Sequence, residues 1–99
     1  MCGIAGFLSL KKIEEPEGCL EAMAGAMRHR GPDSNGTWFE AGPVSAGLAH
    51  ARLSILDLSP MGHQPMSSGS GRHVIVYNGE VYNYREIRGD LEKLGQSFN

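Results

Sequence analysis

The chain opens Met1-Cys2-Gly3-Ile4-Ala5-Gly6-Phe7-Leu8, and the reading given to this stretch decides the rest. Removal of the initiator methionine leaves Cys2 at the terminus, with a thiol and a free α-amine on one residue. The thiolate is the reactive form, and an ordinary thiol with pKa about 8.5 needs a base beside it. An α-amine, with pKa roughly 7.7–8.0, suits that task at neutral pH. The plainer reading makes Cys2 an inert small apolar residue at the start of a buried strand, as an isolated cysteine most often is. The opening residues alone favour the plainer reading. What lies farther along the chain reverses that preference.

Working outward, the 99 residues amount to one domain at most, with a limited core. A hydrophobic share of 40% and a charged share of 20% are ordinary for a soluble globular chain. The formal net charge of -2 gives no reason to expect nucleic acid or an anionic membrane. Fourteen glycines and five prolines lie between apolar runs, so they signal tight turns rather than disorder. No apolar run is long enough for a membrane span. Lys11 and Lys12 follow the first apolar run instead of preceding it, which is wrong for a signal peptide. These features together predict a cytoplasmic location. Cys2 and Cys19 do not make a disulfide framework, and both are expected free, with Cys19, one residue before the apolar face of the first helix, packed rather than activated. His29, His50, His63 and His73 fall at no ligand spacing, so no metal site is expected.

In chain order, Ile4 to Leu10 reads as a buried strand and Lys11 to Gly18 as a charged connection. Cys19 to Arg30 reads as a helix whose Leu20, Met23, Ala24 and Met27 form one face. Arg28-His29-Arg30 is placed in its last turn, and Gly31-Pro32 stops it. Arg30-Gly31-Pro32-Asp33 then opens a turn running to Gly36. Thr37 to Glu40 and Val44 to Ala51 read as a hairpin joined through Ala41-Gly42-Pro43. Arg52 to Leu58 continues that strand, and Ser59 to Gly71 is a loop. His73 to Tyr77 (HVIVY) is apolar enough for a central strand. Asn83 with Glu86 three residues on predicts a capping box, followed by an apolar face of Tyr84, Ile87, Leu91 and Leu94. Gly95 takes the position after the C-cap, and Gln96-Ser97-Phe98-Asn99 reads as the start of another strand.

Two places could carry chemistry beside Cys2. Asn78-Gly79 is first of all a hairpin turn signal. It follows an apolar strand and precedes a helix, however, where an Asn side-chain N–H and a Gly backbone N–H can form an oxyanion hole. Such donors contribute roughly 2.7–4 kcal/mol each to a barrier. Arg52 lies among apolar strand residues, where an unpaired guanidinium is costly. A salt bridge to Asp57 or Asp33 is the ordinary explanation, and recognition of a substrate carboxylate is the functional one.

At this point MCGIAGF, RHRGPDSNG, HARLSILDLSPMGHQPM and YNGEVYNYREIRGDLEKLGQSF resemble the glutamine amidotransferase domain of asparagine synthetases. These are class II amidotransferases among the N-terminal-nucleophile hydrolases. The resemblance covers residues 1 to 99, with its blocks in the family's order. It implies an α+β fold, an αββα four-layer sandwich of which this chain supplies the N-terminal portion. It implies that Cys2 attacks the glutamine side-chain amide, with Asn78 and Gly79 as the oxyanion hole. Arg52 would hold the substrate α-carboxylate, while Leu53, Ser54, Ile55, Leu56 and Glu80 line the pocket. Arg30 to Asp33 and Gln64-Pro65-Met66 would frame it. The family's aspartate for the substrate ammonium falls just beyond Phe98. The resemblance implies L-glutamine as substrate, with no cofactor in these residues. ATP, Mg²⁺ and aspartate belong to the synthetase domain of a longer parent, for which a homodimer is one possibility. One alternative keeps this chemistry with another acceptor, as in polysaccharide biosynthesis. A second makes the chain an inactive piece with only a binding or structural role. On the first reading too, the glutaminase half-reaction is expected of the longer parent, and these 99 residues by themselves are expected to be inactive.

Overall fold

A computed structural model describes residues 2–53, 62–79 and 81–98. Its elements, in order, are β1 (Gly3–Ser9), α1 (Pro16–Ala26), β2 (Ser34–Glu40), β3 (Ser45–Arg52), β4 (Met66–Ser67), β5 (Val74–Ile75) and α2 (Tyr84–Lys93). This is an α+β arrangement. β3 lies in the middle of a three-stranded antiparallel sheet of order β1-β3-β2. β4 and β5 form a separate two-stranded ladder.

The register divides the main sheet into two faces, since opposed residues of an antiparallel pair point to the same side. Gly3 pairs with Ala51, Ala5 with Ala49 and Phe7 with Gly47, and this is the face that α1 covers. Small residues on β1 and β3 let the helix come close. A Cβ on Gly3 would meet the Met27 side chain, and one on Gly47 would meet the Phe7 ring and Leu20. Leu20, Ala24 and Ala49 are buried there, with Ala5, Phe7, Met23, Met27 and Phe39 around them. The Phe7 and Phe39 rings stand 6.1 Å apart. The opposite face carries Ile4 and Leu8, both exposed, together with His50 and Arg52 at the end nearest Cys2.

Helix α1 begins and ends earlier than the expected Cys19 to Arg30. Pro16 sits in the first turn, where its fixed φ suits a helix start, and Glu15 before it turns left-handed at φ 50°. At the other end Met27 is the C-cap, and the basic triplet lies outside the helix. Arg28 and Arg30 instead donate to Gly25 and Met27, three residues back. These turns bring Gly31 against the backbone of β3, where a Cβ would overlap the Ala51 carbonyl. Strand β2 then starts at Ser34 rather than Thr37, because Ser34 pairs with Arg52 and Asp33 donates to the Arg52 carbonyl at 3.0 Å. The last three residues of the expected turn, Ser34 to Gly36, are therefore strand.

Four further expectations are corrected. The HVIVY run is not a central strand: only Val74 and Ile75 pair, with Ser67 and Met66, and Ile75 is exposed. Its apolar character is real, but such a run does not specify its partner. The stretch read as a loop to Gly71 contains β4, and residues 96–98 form no strand. Finally, Asn83 is the N-cap of α2 without a side-chain capping bond. Its φ of −100° and ψ of 31° lie outside the extended region from which such a side chain reaches the helix amides. The C-terminal end is as expected. Gly95 adopts φ 92°, its N–H donates to Glu92 O, and Gln96 N–H donates to Leu91 O, a Schellman motif. Helix α2 packs against no other described element, and Tyr84, Ile87 and Leu94 are exposed.

Candidate active site

One end of the central sheet gathers the first site residues. Gly3 pairs with Ala51, so Cys2 and Arg52 face each other one step farther along, on the face opposite α1. The Leu53 backbone N–H donates to Cys2 Sγ at 3.3 Å, and the thiol donates to Leu53 O at 3.6 Å. Cys2 is half-buried. Arg52 is buried, with 8% of its surface exposed. A guanidinium so far from water must direct its donors at a defined partner. Ser54, Ile55, Leu56, Asp57 and Glu80 lie outside the described residues, so the expectations placed on them are not addressed.

Asn78 is half-buried and Gly79 exposed, and neither has a positive φ. A type I′ hairpin needs positive φ at both central residues, so the turn explanation for this Asn-Gly pair fails. Gly79 is small for another reason. The Tyr77 ring folds over it, and an added Cβ would lie 2.9 Å from the phenol oxygen. Just upstream, Tyr77 N–H donates to Gln64 Oε1 at 2.6 Å. The Gln64 carbonyl and the His63 ring press on Gly36 of β2. The chain around 63–64 therefore links β2 to the segment that leads into Asn78. The described hydrogen bonds do not join Asn78 or Gly79 to Cys2.

The residue missed from sequence is His50. It is 1% exposed, and neither ring nitrogen has a hydrogen-bond partner among the described residues. Burial lowers its pKa below the ordinary value of 6.5. The Tyr77 backbone favours protonation without overcoming that, and the nearby His63 and Arg52 oppose it. The ring is thus neutral at pH 7. The available signal was the alternation in His50-Ala51-Arg52, which places the histidine and the arginine on one face.

Cys19, expected to be packed, is exposed on α1, on the other side of the sheet from Cys2. Among the described residues no group of three or more His, Cys, Asp or Glu could hold a metal ion. No helix among them is long and apolar enough to cross a membrane.

The model of the glutamine amidotransferase domain family matches residues 1–99. A putative glutamine-hydrolysing asparagine synthetase of Mycobacterium tuberculosis is 42% identical over 103 residues, covering 92% of this chain and 16% of the relative. Asparagine synthetase 1 of Bacillus subtilis is 37% identical over 102 residues, covering 100% and 16%. Amidase chry2 of Gibberella zeae is 38% identical over 105 residues, covering 92% and 15%. The chain thus spans about a sixth of the length of these relatives. No solved structure is significantly similar to it.

Proposed function

Because the chain belongs to the glutamine amidotransferase domain family, we propose that it carries the nucleophile of a glutaminase, with Cys2 as the attacking residue. Once Met1 is removed, the Cys2 α-amine takes the thiol proton, and the sulfur attacks the side-chain carbonyl carbon of glutamine. The C–N bond breaks as the proton passes to the leaving nitrogen, giving ammonia and a γ-glutamyl thioester. Water then adds to the thioester, the C–S bond breaks, and glutamate leaves with the thiol restored. The Asn78 side chain and the Gly79 N–H hold the oxyanion in both steps. Arg52 receives the substrate α-carboxylate with its fork of donors. Leu53 to Leu56 and Glu80 form the pocket wall. The supporting observation is the meeting of Cys2, Arg52 and Leu53 at one end of the sheet.

On this reading the chain supplies the N-terminal portion of an αββα sandwich in a cytoplasmic protein. The ammonia serves an ATP-dependent amidation of aspartate in a longer parent, and no step of that amidation is carried by the residues described here. A second acceptor is kept in view because Amidase chry2 is as similar as the synthetases. The test is ammonia release from glutamine by the longer parent protein with Met1 removed, measured beside Cys2→Ala. Loss of all release in the variant is expected. Undiminished release would overturn the assignment.

A further inference from the structure

We propose that His50 is a positioning residue that fixes the Tyr77-Asn78-Gly79 segment over the end of the sheet where Cys2 and Arg52 meet. The inference rests on the glutaminase reading for its kinetic consequence, though not for its geometry. His50 lies on the central strand β3, opposite Ile4 on β1 and Gly36 on β2. Its face of the sheet is the one that carries Cys2 and Arg52. A buried polar ring without partners costs stability, so its place in so small a core calls for a reason.

Tyr77 supplies one. Its backbone lies close enough to influence the ring, and its N–H is already given to Gln64 Oε1. The Tyr77 backbone group able to accept an imidazole N–H is its carbonyl, immediately before Asn78. A bond from the ring to that carbonyl anchors the segment at the sheet, while Gln64 Oε1 holds it through the Tyr77 N–H. Only a neutral ring keeps this donor without placing a second cation beside Arg52. Oxyanion donors act only when held within a fraction of an ångström, so an anchor under Asn78 changes the barrier more than substrate affinity.

The test compares the wild type with His50→Leu, which keeps bulk and removes the donor, and His50→Gln, which restores an N–H. In the protein with Met1 removed, His50→Leu is expected to lower kcat for glutamine hydrolysis about tenfold or more, with KM little changed. His50→Gln should regain most of the loss. Backbone amide exchange at Asn78 and Gly79 should quicken in the leucine variant alone. Should that variant not fold, Gln64→Met removes the other anchor, and the same kinetic and exchange changes are expected. Unchanged kinetics and exchange overturn the proposal. Equal damage from Leu and Gln also overturns it, since that marks packing alone. A wild type that does not hydrolyse glutamine overturns the functional reading instead, and exchange at Asn78 and Gly79 then decides the positioning role by itself.

Discussion

Cys2, Arg52 and Asn78 are each assigned a different part of one substrate, and the assignments separate in kinetics. Asn78 acts where negative charge develops, so Asn78→Ala is expected to lower kcat by roughly 10²–10³. Arg52 grips an end of glutamine that does not react, so Arg52→Ala should raise KM chiefly. Steady-state glutaminase measurements distinguish the two, and near-normal kinetics in both variants would mean the pocket is misplaced. His50 carries a pH signature of its own. Its folded-state pKa is depressed, so the unfolded chain binds a proton first as pH falls. Stability is fully present above about 6.5 and declines below it, until the folded-state pKa is passed. The groups acting on the ring are the Tyr77 backbone, His63 and, on its own strand, Arg52. Urea midpoints between pH 7.5 and 5.5 should fall in the wild type and fall less in His50→Gln. Equal slopes would show that another group controls this range. Cys2 and Arg52 could be singled out in sequence by local features, a chain terminus and a charge among apolar neighbours, but the choice between their plain and functional readings came from the resemblance. His50 was not, because its burial depends on cover from residues 63–64 and 77.

At the scale of elements, the interior of each periodic segment was legible and its edges were not. The Leu20, Met23, Ala24 and Met27 stripe faces the sheet as its spacing requires. The end of α1 depends instead on a contact distant in sequence, between Gly31 and Ala51. This gives the Arg30-Gly31-Pro32-Asp33 turn its structural task, which is to cross β3 at backbone distance. Gly31→Ala forces either the turn or β3 to move. It should cost more than the roughly 1 kcal/mol typical of a point change, with unfolding free energy read from a denaturant titration. A neutral result would mean that the turn is not held against the strand. The capping box at Asn83-Glu86 shows a different limit. Its residue pattern is right, but the cap depends on a backbone angle that the approach from residues 81–82 does not provide.

At the scale of the molecule, the chain is larger than its length requires. Its radius of gyration is 15.1 Å, against about 13 Å for a compact domain of 100 residues. The excess has visible sources. Helix α2 packs against no other described element, and on the sheet face away from α1 Ile4 and Leu8 are exposed. The α+β class is the one the resemblance implied, and the periodicities located its helical and strand segments. The pairing of β5 was not, because the apolar run of residues 73–77 says that it wants cover and not from which side. The central claim remains that one cysteine is made reactive by its place at the chain terminus. Exposure alone predicts the opposite preference, since Cys19 is exposed and Cys2 is only half so. The direct measurement is intact-mass and peptide analysis of the protein after treatment with a glutamine-like electrophile. The account predicts absence of Met1 and a single adduct on Cys2, suppressed by excess glutamine. Retention of Met1, or labelling of Cys19 equal to that of Cys2, would contradict it.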